Sequence, residues 1–274
     1  MLPEAKSEDL LYISDDGTDQ VYVFSYPSGS LSGTLTGFGS PVGECVDKAG
    51  NVWIGNQTPP EIIEYAHGGT APIVVLSDST GVPMGCAVDS TTGNLAVGNS
   101  DNVAIYENAR GNPMTYTDPY LDGFAYCTYD KKGNLFVDGE SSTIIAELAK
   151  GSDSLSNVTL SKKVSPGSMQ WNSDNLVIRD DLGGSHGPMA IDRFQVLGTT
   201  ASFTGTTWLK GLRDRKPNSG VQYWVQGRRI IGPGYTGANL CPSARRSRKR
   251  AVFLCGLCSI AGIAAWIGIA AALA

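Results

Sequence analysis

The chain has 274 residues and a formal net charge of −5, and it contains only 2 histidines. The acidic balance argues against general nucleic-acid binding, which needs a basic face, and the scarcity of histidine limits histidine chemistry. Hydrophobic residues make up 41% of the chain, which is enough for a core, and the 34 glycines are typical of a protein built from short strands and tight turns.

Residues 1–9 form a short polar segment ahead of the first predicted strand. This segment has neither a basic region nor the apolar run that would follow it in a secretory signal. The N-terminus therefore does not predict a signal peptide.

A single motif recurs from residue 10 onward, namely a glycine–asparagine turn followed by three strand-forming residues. The clear copies begin at Gly50, Gly93 and Gly133, while Asp174 and Gly227 begin degraded ones. Equivalent positions fall at 11, 52, 95, 135, 176 and 229, so the intervals are 41, 43, 40, 41 and 53 residues. A strand-rich period near 40 is typical of a β-propeller, in which no unit can bury its faces alone.

Each repeat predicts four short strands. In the clearest unit these are residues 42–47, 52–55, 61–66 and 71–76. The sequence thus predicts one all-β domain over residues 10–241, a six-bladed propeller with an incomplete last blade. The first unit lacks its innermost strand and the sixth breaks off after Cys241, so we expect the ring to lack a closing strand.

The repeat resembles the NHL and virginiamycin-lyase-like six-bladed β-propellers. The resemblance covers roughly residues 10–240, and the Tyr26-Pro27-Ser28-Gly29 turn makes the chain most similar to uncharacterised bacterial members. It implies the fold and an exported or cell-surface location. It does not imply one activity, because propellers include enzymes, binding proteins and scaffolds.

The C-terminal tail differs from the repeats. Residues 242–250 form a basic linker, with five cations between Arg245 and Arg250, and residues 251–274 carry no charge. An apolar run of this length predicts a transmembrane helix, which would make the protein single-pass and C-terminally anchored. The alternative is that the tail is the product of a shifted reading frame, because it begins where another strand is expected.

Cys45, Cys86 and Cys127 are spaced 41 residues apart, each on the first strand of its unit. One interpretation is a ring of thiols around the propeller axis that binds a soft metal. The other, which the exact repetition favours, is that they are small core residues. Cys45 also aligns one position away from Cys86, which places it on the opposite face of its strand.

Two residues are candidates for chemistry. Glu44 is a candidate metal ligand, because lactonase-like propellers hold a divalent metal with acidic side chains at the channel mouth. His186, in a glycine-rich loop, is a candidate catalytic acid or base, since lyase-like relatives use a histidine. The aspartates that end the first strands, Asp47, Asp89 and Asp130, are expected to bond their own turns.

These observations predict a monomeric, non-enzymatic binding or scaffold protein without a cofactor, whose partner is a protein or a small molecule. Membrane attachment would come through residues 251–274. The alternative is a lyase- or lactonase-like enzyme with Ca²⁺ or Mg²⁺ at the channel mouth.

Overall fold

The computed structural model describes residues 1–26, 28–121, 123–139, 142–180, 188–213, 224–226, 229–231 and 251–255. Within them the chain is all-β, apart from two short 3-10 helices, Pro3–Lys6 and Glu107–Ala109. The prediction of an all-β fold is confirmed.

The strands are grouped into sheets, or blades, that follow one another along the chain. The first blade contains β1 (Asp9–Asp15), β2 (Gln20–Tyr26) and β3 (Leu31–Leu35). The second contains β4 (Pro41–Val46), β5 (Val52–Gln57), β6 (Pro60–Tyr65) and β7 (Pro72–Ser77), and the third contains β8 (Cys86–Val88), β9 (Leu95–Gly98), β10 (Val103–Tyr106) and β11 (Met114–Tyr116). Strands within each of these blades pair antiparallel in chain order.

The fourth and fifth blades form one eight-stranded sheet. Their strands are β12 (Cys127–Tyr129), β13 (Leu135–Val137), β14 (Ser142–Leu148), β15 (Ser156–Val164), β16 (Pro166–Asn172), β17 (Asn175–Asp180), β18 (Pro188–Leu197) and β19 (Thr200–Arg213). The outermost strands of the two blades, β15 and β19, pair in parallel at Thr159–Thr200 and Leu160–Ala201. Part of the sixth unit is described as the hairpin of β20 (Trp224–Gln226) and β21 (Arg229–Ile231).

In the second, third and fourth blades, the glycine–asparagine turn connects the first two strands. Gly50, Gly93 and Gly133 have φ of 92°, 80° and 88°, in the left-handed region that glycine enters at little cost. In the fourth blade, Asp130 Oδ1 accepts the backbone N–H of Asn134 at 2.9 Å. Asp47 and Asp89 accept turn N–H groups in the same way, so the expected role of the three aspartates is confirmed.

The innermost position of the first blade is occupied by a strand from the tail. Ala251–Cys255 forms β22, which pairs in parallel with β1 from Leu10 to Ser14. The expectation that nothing after Cys241 fills this position is wrong, because an uncharged run can pair with the open edge of β1. The predicted helix is also wrong for residues 251–255, while residues 256–274 lie outside the described chain. Among the described residues, none lies in a helix long and apolar enough to span a membrane.

Candidate functional site

The innermost strands turn their side chains toward neighbouring blades. Glu44, Cys86 and Cys127 occupy equivalent positions, opposite Ile54, Val97 and Val137 of the next strand in each blade. Cys86 Sγ lies 3.9 Å from the carbonyl of Trp53, and Cys127 Sγ lies 3.7 Å from that of Ala96, so both thiol positions face the preceding blade. The interpretation as a metal-binding ring of thiols around the axis is therefore wrong.

Cys45 lies one residue beyond Glu44 and faces the following blade instead. It meets Cys86 across the junction, and the two form a disulfide with Cα atoms 5.5 Å apart. Cys127 keeps a buried free thiol, and burial raises its pKa. The offset between Cys45 and Cys86 was visible in the sequence, but only the packing of opposite faces brings the two sulfur atoms together.

Glu44 is 1% exposed and packs toward the first blade, where Ser14 Oγ donates a hydrogen bond to Glu44 Oε1. Burial raises the pKa of Glu44 well above its usual range, and its Oε2 has no hydrogen-bond partner. In the described part of the chain no group of three metal-ligating side chains is assembled. Glu44 as a metal ligand stays a prediction, and His186 lies outside the described residues.

A second buried carboxyl lies in the fourth blade. Asp138 is fully buried, its Oδ1 accepts the backbone N–H of Tyr126 at 2.9 Å, and its Oδ2 has no partner. Burial raises the pKa of Asp138 well above the usual value for aspartate. No pattern in the sequence pointed to this residue, since aspartate at the end of a strand is ordinarily a turn residue.

Asp138→Asn is expected to stabilise the protein increasingly as the pH rises from 4 to 8 and to have little effect near pH 4. Because the folded-state pKa is raised, the native protein loses stability as the pH rises above about 4, by up to about 1.4 kcal/mol for each pH unit until the folded carboxyl ionises. Asparagine retains an acceptor for Tyr126 and does not ionise. Thermal unfolding between pH 4 and 8 measures the effect. Asp101→Asn, at an exposed position, is the control for the loss of a charge. If the stability of the wild type and of Asp138→Asn changed in parallel with pH, the prediction would be contradicted.

The blades are bridged at the face that carries the glycine–asparagine turns. Positions 67, 108 and 150 are equivalent in the repeats. In each blade the motif residue that follows asparagine pairs with a residue of the third strand, and the equivalent position lies two residues further along the chain. His67 Nε2 lies 2.8 Å from the carbonyl of Glu8, just ahead of the first blade. Lys150 Nζ donates to Thr91 Oγ1 of the third blade at 3.0 Å.

Asn108 does not bridge the second and third blades. Its backbone N–H donates to Asn94 Oδ1 within its own blade at 3.0 Å, and among the described residues its side chain makes no hydrogen bond to the second blade. Asparagine is too short to span the gap that lysine spans at the next junction. At this face no side chain from position 108 bridges the second and third blades, which the Cys45–Cys86 disulfide joins deeper in the junction.

A cavity of about 360 Å³ lies at this face of the junction, and we call it the 2–3 cleft. Residues from both blades line it: Asp47, Lys48, Ala49, Trp53, Glu64, Val74, Val88, Asp89, Ser90, Gly93, Asn108, Ala109 and Arg110. The lining mixes apolar side chains with charges of both signs.

One wall of the cleft is a row of residues that cross the second blade. Trp53 lies directly opposite Cys45 on one side and Glu64 on the other, and Glu64 lies opposite Val74. Directly opposite residues share a face of a sheet, with Cβ atoms about 5 Å apart. The Cys45–Cys86 disulfide thus lies beside Trp53, next to the wall.

Two polar groups in this wall are incompletely satisfied. Trp53 is 2% exposed and its indole Nε1 has no hydrogen-bond partner. Glu64 accepts one hydrogen bond at Oε1, from Asn51 Nδ2 at 2.9 Å. Burial raises the pKa of Glu64, against the hydrogen bond from Asn51 and the positive charge of Arg110, which act to lower it.

The opposite wall comes from a strained turn of the third blade. Asn108 and Ala109 both have positive φ, 50° and 51°, in a region that asparagine enters readily and that is unfavourable for alanine. Such strain is characteristic of functional segments. Arg110 follows directly, and it forms no ion pair with any described residue, so its guanidinium is free to contact a ligand.

Sequence reasoning missed the cleft. The available signal was the series His67, Asn108, Lys150 at one repeat position, in which the middle member is the shortest. To align these three positions one must know how the third strand of each blade pairs with the second strand. The repeats are too different in sequence to show that pairing.

Known proteins resemble the chain in structure but not in sequence. No protein-family model matches it, and no curated protein matches it in sequence. A protein of unknown function from Bacteroides caccae is similar with a TM-score of 0.58 and 14% identity, over 80% of this chain and 79% of that one.

Two further solved structures are similar to the chain. A chain of the nidogen/laminin complex has a TM-score of 0.54 and 16% identity, over 72% of this chain and 78% of its own length. A streptogramin B lyase has a TM-score of 0.50 and 15% identity, over 72% of this chain and 62% of its own length. At these identities the similarity shows the fold alone, and the fold is that of a β-propeller.

Proposed function

We propose that the protein is a non-enzymatic β-propeller that binds a partner at the 2–3 cleft. The observation that carries the proposal is the junction left unbridged at Asn108, where the equivalent His67 and Lys150 bridge theirs. Selection for stability alone would favour closing it. The positive φ of Ala109 at the same place supports a role in binding.

The partner that we propose is a protein. Structures of similar fold include chains of a nidogen/laminin complex and of a mitotic checkpoint complex, and propellers commonly present their loop faces to other proteins. These similarities do not transfer a particular partner. The polar, mixed-charge lining of the cleft suits the rim of a protein interface.

We also propose an exported or cell-surface location. Disulfides persist in oxidising compartments and are rare in the cytosol. The buried Cys45–Cys86 bond supports such a location independently of the family resemblance.

Binding at the cleft is tested by the indole N–H signal of Trp53 in NMR spectra of the full chain. Acetate, methylammonium, acetamide and glucose serve as millimolar probes of four chemical classes, and Trp53→Phe assigns the signal. At least one probe is expected to shift it in the wild type and to lose its effect in Asn108→Lys, where the longer side chain closes the cleft toward Asp47.

Lys150→Asn is the matched control, because it removes the lysine at the equivalent position of the next junction and leaves Asn108 in place. It should respond to the probes as the wild type does. A Trp53 signal that no probe shifts, or shifts that persist in Asn108→Lys, would rule out the cleft as the binding site.

A further inference from the structure

We propose that two copies of this chain associate through β7, the outer strand of the second blade, so that their second blades form one continuous antiparallel sheet. This dimer goes beyond the proposed function and does not depend on it. It also replaces the monomer that the sequence predicts. The inference follows from the backbone edge that β7 leaves open and from the side chains that the strand exposes.

The outer edges of the first and fourth blades are covered by other parts of the chain. At the first blade the backbone N–H of Leu2 donates to the carbonyl of Ser32 in β3 at 2.6 Å. At the fourth blade β19 pairs with β15 at Thr159 and Leu160. In contrast, β7 is six residues long and is the last strand of its sheet, and no described strand pairs with its outer edge.

Val75 turns both of its backbone hydrogen-bonding groups toward this open edge. Hydrogen-bonded pairs alternate along an antiparallel ladder. The N–H of Asp78 donates to the carbonyl of Pro60 at 2.9 Å, so positions 78, 76 and 74 are the ones bonded to β6, and positions 75 and 77 point outward. The carbonyl of Ser77 accepts the Tyr106 hydroxyl at 3.3 Å, whereas both groups of Val75 are without a partner among the described residues.

The side chains of β7 are apolar and exposed. Ile73 is 52% exposed and Val75 is 53% exposed, and residues 72–77 include no charge. Val75 lies opposite Ile63, which belongs to the core between the first and second blades, so Val75 extends that apolar face beyond the part that the first blade covers. Lysine or another charge commonly protects an exposed edge strand from pairing, and β7 has no such protection.

A second copy of the same strand is complementary to this edge. In an antiparallel pair centred on Val75, the two valines exchange both N–H to carbonyl bonds, and their side chains lie directly opposite with Cβ atoms about 5 Å apart. The two-fold axis places Ile73 of one copy beside Ser77 of the other, and no like charges meet because the strand has none. Each copy uses its open edge once, so the assembly closes at two chains.

Sedimentation equilibrium of the full chain between about 1 and 200 μM tests the inference. We expect a reversible dimer with a Kd on the order of 10 μM, because one strand from each copy forms a small interface. Val75→Lys should be monomeric over the same range, since two lysines would lie directly opposite each other. Met114→Lys is the matched control, because Met114 is 57% exposed on β11, the outer strand of the third blade, and it should dimerise as the wild type does.

A pair of opposite charges at position 75 separates strand pairing from a folding defect. Val75→Glu alone should also be monomeric, while an equimolar mixture of Val75→Lys and Val75→Glu should dimerise, because opposite charges then face each other. Thermal unfolding shows whether each variant folds. Ile73→Lys, at the second exposed position of the strand, should raise the Kd about tenfold or more.

A wild type that stays monomeric over the whole concentration range would overturn the inference. Association that Val75→Lys leaves intact would do the same, because the contact would then lie elsewhere in the chain. So would a mixture of the two charged variants that remains monomeric. No cleft ligand is used in these measurements, so the dimer can fail while the proposed function stands.

Discussion

Replacing Lys162 with methionine is expected to lower the free energy of unfolding by about 3 kcal/mol, the lower end of the range for breaking a buried ion pair. Lys162 on the outer strand of the fourth blade binds Asp192, which is fully buried, and Asp180, at 3.2 Å, both in the fifth blade. It also lies 5.1 Å from the centre of the Phe203 ring. Methionine preserves the packing but leaves Asp192 without its cation, and since the lysine side chain is 32% exposed, water offsets part of the cost.

Urea unfolding measures this effect, and the neighbouring Lys163→Met is the matched control because that side chain is exposed and makes no ion pair in the described chain. Lys163→Met should change stability by less than about 0.5 kcal/mol. Adding Asp192→Asn to Lys162→Met should restore part of the loss, since the unpaired charge is then absent. Equal effects of the two lysine substitutions would show that the ion pairs do not hold the fourth and fifth blades together.

Removing the Cys45–Cys86 disulfide, by Cys45→Ala with Cys86→Ala, is expected to cost about 4 kcal/mol. The bond closes a loop with a sequence separation of 41 residues, and the loop-closure entropy of the unfolded chain accounts for a loss of about this size. The measurement is urea unfolding under non-reducing conditions. Because the bond lies beside Trp53, the same variant should broaden or shift the Trp53 indole signal.

Cys127→Ala is the control for the disulfide, since it removes a buried sulfur without opening a loop. It should cost about 1 kcal/mol, the cost of a small cavity. Peptide mapping without reduction should recover the peptides of Cys45 and Cys86 joined. If these peptides are found separate, and reductant leaves the unfolding midpoint of the wild type unchanged, the bond does not form.

The repeat was the best-determined feature in the sequence. Its turns at Gly50, Gly93 and Gly133 predicted the hairpins, because a positive φ is required there and glycine supplies it. The aspartates ahead of these turns were correctly assigned for the same local reason. Strand positions within each unit followed from hydrophobic patterning.

The tail and the edges of the ring were predicted less well. An uncharged run such as residues 251–255 is compatible with a helix or a strand, and periodicity alone does not distinguish them. In the structure this run pairs with β1, because the first blade has an open backbone edge. The parallel pairing of β15 with β19 has no local signature either, since it joins strands from different repeats.

By itself the sequence determined the all-β class, the repeat and the turns, because these depend on local backbone preferences and on the alternation of side chains. Only the tertiary structure decided which faces meet. It joined Cys45 to Cys86, buried Glu44 against Ser14, and left the 2–3 cleft open at Asn108. These contacts depend on how neighbouring blades are packed, and residues about 40 positions apart carry no local signal of that packing.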